Sequence, residues 1–167
     1  RTWQHEVSFD AKHLIIDGHK IPVVAEKEPP KLPWKAHKVD VVMECTGRFT
    51  DRQSAQAHLT AGAKKVVISA PAKDTPTFLM GVNHKHAKKT DTVVNNASCT
   101  TNSIGPVVAI MEETFGVKKA MMTTIHSVTA EQNLVDSLPP ARHPDLRRAR
   151  SALVNMDLAF FVVGLCL

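Results

Sequence analysis

Val39-Asp40-Val41-Val42-Met43-Glu44-Cys45-Thr46-Gly47-Arg48-Phe49-Thr50 is an apolar, β-branched run that breaks at a Thr-Gly pair, and a second such run, Lys65-Val66-Val67-Ile68-Ser69, follows it. Residues 52–61 between them read as a helix. The β-α-β order predicts a parallel sheet of the doubly wound α/β kind, with ligands bound at the carboxyl ends of its strands. Upstream, short alternating runs at residues 5–9, 14–17 and 21–25 predict strands, and Asp17-Gly18 is the turn of a hairpin. Pro29-Pro30-Lys31-Leu32-Pro33-Trp34 predicts a stiff, exposed connection. Downstream, short strands are predicted at residues 77–80 and 92–95.

Next comes Asn96-Ala97-Ser98-Cys99-Thr100-Thr101-Asn102, one cysteine among hydroxyls and amides. Behind it apolar residues recur at helical spacing, at Ile104, Val107, Val108, Ile110, Met111 and Phe115. Cys99 is therefore expected at or just before a helix start, where the partial positive charge favours thiolate over thiol. Met121-Met122-Thr123-Thr124-Ile125 reads as a strand ending on His126, an imidazole able to take a thiol proton. Taken singly, a cysteine is most often a small buried apolar residue and a histidine a hydrogen-bonded structural one.

Composition sets looser bounds. The chain has 167 residues and 43% hydrophobic content, enough for one ordinary core and unlike a disordered or repetitive sequence. Its 21 lysines and arginines stand beside 16 acids, for a net charge of +5. The basic run at Arg147, Arg148 and Arg150 suits a phosphate, and no stacking-aromatic pattern accompanies it, so nucleic-acid binding is not the favoured reading. Three cysteines, at 45, 99 and 166, have no C-x-x-C spacing, as in a reduced cytoplasmic chain rather than a disulfide framework or zinc site. The apolar stretch after Asp157 is too short for the roughly 20 residues of a membrane-spanning helix.

Several of these strings together resemble one family. Ser98-Cys99-Thr100-Thr101-Asn102 followed by Thr123-Thr124-Ile125-His126-Ser127-Val128-Thr129 is similar to the active-site signature of the phosphorylating glyceraldehyde-3-phosphate dehydrogenase family. Glu44-Cys45-Thr46-Gly47-Arg48-Phe49-Thr50, Ala61-Gly62-Ala63-Lys64-Lys65-Val66-Val67-Ile68-Ser69-Ala70-Pro71, Gly81-Val82-Asn83 and Asp145-Leu146-Arg147-Arg148-Ala149-Arg150 resemble further segments of it.

The resemblance implies a Rossmann-type NAD-binding domain over residues 1–97, lacking its first strand and G-x-G-x-x-G loop, and part of an α+β catalytic domain over 98–156. It leaves residues 157–167 as an unmatched apolar tail. It further implies oxidation of glyceraldehyde 3-phosphate in glycolysis, with Cys99 as nucleophile and His126 as base. Ser98, Thr100, Thr129 and Arg147 are the groups implied to bind the substrate phosphate and inorganic phosphate. Thr46, Gly47, Phe49 and Ser69 are implied to contact NAD. Leu138-Pro139 leans toward NAD over NADP, a cytoplasmic homotetramer is the family assembly, and no metal is implied. Erythrose-4-phosphate dehydrogenase shares the cysteine and histidine strings and stands as the alternative substrate reading. A catalytically inactive truncated member, acting as an interaction piece, is the alternative from another class.

Overall fold

The computed structural model describes residues 3–126 and the backbone of Phe160–Cys166. Two compact units divide the chain, Arg1–Ala109 and Ile110–Leu167.

In the first unit, β1 (Val7–Phe9), β2 (His13–Ile16) and β3 (His19–Pro22) form an antiparallel sheet in that order. Ile16 pairs with His19 around Asp17 and Gly18, whose φ angles of 49° and 79° are the two positive values that a twisted two-residue hairpin turn needs. The Pro-rich connection departs from expectation. Pro29–Lys31 is a 3-10 turn with Pro29 buried, and Leu32, Pro33 and Trp34 are half-buried rather than exposed.

A second sheet holds β4 (Val41–Glu44), β5 (Lys65–Ile68) and β6 (Val93–Asn95), parallel and in that order, as the β-α-β reading predicts. The crossover between β4 and β5 carries α1 (Arg52–Thr60). Asp51 starts α1 by accepting hydrogen bonds from the Ser54 amide at 2.8 Å and the Ser54 hydroxyl at 2.7 Å, satisfying an amide that the helix itself cannot. Ala55 of α1 packs with Val66, Ile68 and Val93 in a core of small and branched side chains. Residues 77–80, expected as a strand, make one isolated bridge, Thr77 to Asn95. The Asn83 side chain takes the Leu79 amide at 2.7 Å and turns the segment away before a ladder can grow.

The long helix α2 runs Cys99–Phe115 with Pro106 inside it. Pro106 has no amide hydrogen, so the Asn102 carbonyl cannot receive the usual helical bond from it. Gly105 lies close against Leu79, where a Cβ would stand 2.7 Å from Leu79 Cδ2. In the second unit, β7 (Lys119–Ile125) pairs antiparallel with β8 (Phe160–Cys166), from Lys119 opposite Cys166 to Ile125 opposite Phe160. Part of the apolar tail is thus a strand. Among the described residues no helix is long and apolar enough to cross a membrane.

Two glycines separate conformational from contact strain. Gly18 has open space around it, whereas a Cβ on Gly62, at φ 110°, would lie 2.6 Å from Lys35 Cβ and 2.9 Å from Lys35 Cα. Gly18→Ala should cost about 1 kcal/mol and Gly62→Ala about 3 kcal/mol in urea unfolding. Equal losses would mean that the approach of Lys35 imposes no constraint.

Candidate functional site

The parallel register fixes where the turns that carry the candidate residues emerge. Glu44 pairs with Ile68 and Ile68 with Asn95, so the three strands end in one row. From that row leave the loop at Thr46, Gly47 and Phe49, the residue Ser69, and the turn to Cys99. Ser69 donates its amide to the Glu44 carbonyl at 3.0 Å, which ties the first two exits together.

The cysteine turn is built from side chains that bond to backbone. Ala97 is in the left-handed region at φ 59°, a conformation costing a non-glycine residue about 1 kcal/mol or more, and its amide donates to Asn95 Oδ1 at 2.9 Å. Ser98 Oγ accepts the Thr101 amide at 3.0 Å and lies 2.7 Å from Thr101 Oγ1, so Ser98 caps α2. Asn102 reaches back to the carbonyls of Asn96 at 2.6 Å and Ser98 at 3.0 Å. Cys99 is the first residue of α2 and is exposed, Thr100 beside it is half-buried, and the first turn carries no acidic residue to offset the helix dipole. This is the helix-start position predicted for Cys99. His126 directly follows β7, is half-buried, and belongs to the second unit. Thr129 and Arg147 lie outside the described residues.

At the other exit, Glu44 is buried to 3% exposure and His58 to 4%. Glu44 Oε1 accepts from the Thr46 amide at 2.7 Å and from the Thr46 hydroxyl, and Oε2 lies 2.8 Å from His58 Nε2. Trp34 Nε1 donates to His58 Nδ1 at 3.1 Å. An indole can only donate, so Nδ1 accepts and the ring hydrogen sits on Nε2, facing the carboxylate. Burial opposes charge on Glu44, but the Thr46 hydroxyl and amide and the His58 ring hold its carboxyl below the usual carboxylate value. Phe49 stands edge-on to His58, with ring centroids 6.1 Å apart. The network borders an open hollow of about 510 Å³ lined in part by Val41, Met43, Cys45 and Thr46. Gly47 turns at φ 71°, and Thr46 and Gly47 are exposed. Among the described residues no group of three His, Cys, Asp or Glu side chains could hold a metal ion.

Comparison with known proteins fits this arrangement. Residues 1–52 match the family model described as glyceraldehyde 3-phosphate dehydrogenase, NAD binding domain, and residues 98–157 match its C-terminal domain. The chain belongs to the glyceraldehyde 3-phosphate dehydrogenase family. Glyceraldehyde-3-phosphate dehydrogenase of Zymomonas mobilis is 48% identical over 157 residues, covering 93% of this chain and 45% of that protein. The plasmid-borne enzyme of that name from Cupriavidus necator is 52% identical over 153 residues, covering 90% and 44%. Glyceraldehyde-3-phosphate dehydrogenase 2 of Saccharomyces cerevisiae is 44% identical over 151 residues, covering 90% and 45%. The chain thus spans a little under half the length of these curated relatives. The C-terminal family match opens at Ser98, the residue that caps the cysteine helix.

Sequence reading passed over Trp34, His58 and the carboxylate of Glu44. A signal was there: Val42 and Glu44 share one face of β4, and Ala55 and His58 share one face of α1. An acid in step with buried apolar residues needs a buried partner.

Because the folded Glu44 carboxyl is held below its ordinary value of 4.5, its stabilising contribution is full above that value and is lost as pH falls through the lower folded one. Urea midpoints should therefore drop on acidification, and Glu44→Gln should flatten part of that drop. His58→Ala should cost about 3 kcal/mol at neutral pH by stripping a partner from a buried carboxylate. An unaltered acid limb in the Gln variant would remove Glu44 from the account.

Proposed function

We propose that the protein oxidises glyceraldehyde 3-phosphate to 1,3-bisphosphoglycerate with NAD and inorganic phosphate, the phosphorylating step of glycolysis. The observation that carries this reading is Cys99 as the exposed first residue of α2 behind the Ser98 cap, inside the segment that matches the family's C-terminal domain. A helix N-terminus favours the thiolate, and a thiolate is both a soft nucleophile and a competent leaving group.

In this reading Cys99 Sγ adds to the aldehyde carbon and forms a C–S bond, while His126 takes the thiol proton and returns it to the carbonyl oxygen. The product is a thiohemiacetal. Loss of hydride from its carbon, with the hydroxyl proton passing to His126, leaves a thioester on Cys99. A phosphate oxygen then attacks the thioester carbonyl, the C–S bond breaks, and the Cys99 thiolate is restored as the acyl phosphate departs. Ser98, Thr100, Thr129 and Arg147 bind the two phosphate groups, arginine through its planar pair of charge-assisted donors.

NAD supplies the hydride acceptor. The residues present suit it: Thr46, Gly47, Phe49 and Ser69 sit where parallel strands end together, and the glycine lets a ligand approach the backbone closely. Those four residues hold the cofactor in this reading, with residues 1–97 as its domain and 98–156 as the catalytic one. A homotetramer in the cytoplasm completes it.

Phosphate-dependent NADH production by the purified protein tests the reaction. Cys99→Ser should lower the rate at least about a thousandfold, and His126→Asn about a hundredfold or more. A serine variant as fast as the parent would overturn the mechanism. Cys99 should also alkylate faster than Cys45 at neutral pH, since Cys45 follows a strand rather than opening a helix. Peptide mass spectrometry of a partly labelled sample reads that ratio, and equal labelling counts against an activated Cys99.

A further inference from the structure

Asn95 ends β6 and is only 1% exposed. A carboxamide buried that deeply requires partners for both its ends, and here the partners come from two different segments. Nδ2 donates to Thr75 Oγ1 at 2.8 Å and Thr77 Oγ1 at 2.9 Å, with the carbonyls of Thr75 and Pro76 each at 3.3 Å. Oδ1 accepts the Ala97 amide. Main-chain bonds run alongside, from the Asn95 amide to the Pro76 carbonyl and from the Phe78 amide to the Asn95 carbonyl, each at 2.9 Å.

The Ala97 bond matters because of where it falls. An acceptor two residues upstream is what an asparagine offers to a tight turn, and it stabilises the left-handed Ala97 that a side-chain-bearing residue otherwise avoids. Ala97 is followed directly by the capping Ser98 and by Cys99. The geometry of the first turn is therefore set from the sheet end through Asn95, with residues 75–77 as the fixed anchor.

We propose that Asn95 is a positioning residue for Cys99: its carboxamide clamps the segment 75–77 to the turn at Ala97 and so holds the thiol at the helix N-terminus in its reactive presentation. The role rests on the reading of Cys99 as the nucleophile. Asn95 acts through Ala97 and Ser98, not on the substrate.

The test is the pH profile of iodoacetamide labelling at Cys99 in the 167-residue chain, with Cys45 in the same sample as reference and hydrogen exchange at the Ala97 amide as the structural readout. Asn95→Ala should expose the Ala97 amide to exchange, slow Cys99 labelling at neutral pH about tenfold and move its profile to higher pH by about one unit, with Cys45 unchanged. Should that variant fail to fold, the double variant Thr75→Val/Thr77→Val removes only the hydroxyl acceptors and should shift the profile in the same direction by a smaller amount. A folded variant whose Ala97 amide exchanges freely while Cys99 keeps the parent profile overturns the proposal, as does a loss shared equally by Cys45. A parent chain in which Cys99 labels no faster than Cys45 defeats the nucleophile reading before any variant is made, and the positioning role falls with it.

Discussion

The buried Glu44 carboxylate is the constraint around which the first unit is organised. One of its oxygens fixes the loop that leaves β4 through the two bonds from Thr46, and the other engages His58 on α1. Through His58 the network extends to Trp34 in the connection that precedes the sheet. Strand, loop, crossover helix and connection are thus joined through the Glu44–His58 pair. An apolar residue at position 44 would fill the same space without specifying how the loop departs, since dispersion has no direction and hydrogen bonds do.

The parallel arrangement then converts order along the chain into proximity. A parallel ladder sends every strand out at the same end, and the row Glu44, Ile68, Asn95 is the last on each strand. Each of these three residues leads into a polar, turn-forming segment, and the adjoining core of Ala55, Val66, Ile68 and Val93 is small and branched. Two buried polar side chains, Glu44 and Asn95, stand at the outer strands of that row with their hydrogen bonds aimed into the loops. The sheet and the loops at its carboxyl edge are joined by those two residues.

Much of this was legible in the sequence because it depends on local signals. Asp17-Gly18 reads as a turn since few residues tolerate two consecutive positive φ angles, and Cys99 reads as a helix start since the apolar spacing begins just beyond it. Residues 77–80 misled for the same reason. Their apolar content resembles a strand, but a side chain four residues on, at Asn83, captures the amide a ladder would need. The half-burial of the Pro-rich connection depends on a contact between Trp34 and His58, far apart in sequence, which periodicity cannot register. Asn95 was legible as a strand end only, because its function lies in what its carboxamide reaches.

Pro106 gives the cysteine helix an uneven mechanical character. With no amide at that position to meet the Asn102 carbonyl, one of the rungs that couple the first turn to the second is absent by covalent structure. Asn102 instead turns its side chain back to the carbonyls of Asn96 and Ser98. The opening turn is thus tied to the sheet behind it as well as to the helix ahead. A disturbance travelling along α2 from its far end meets that gap in the ladder one turn before it reaches Cys99.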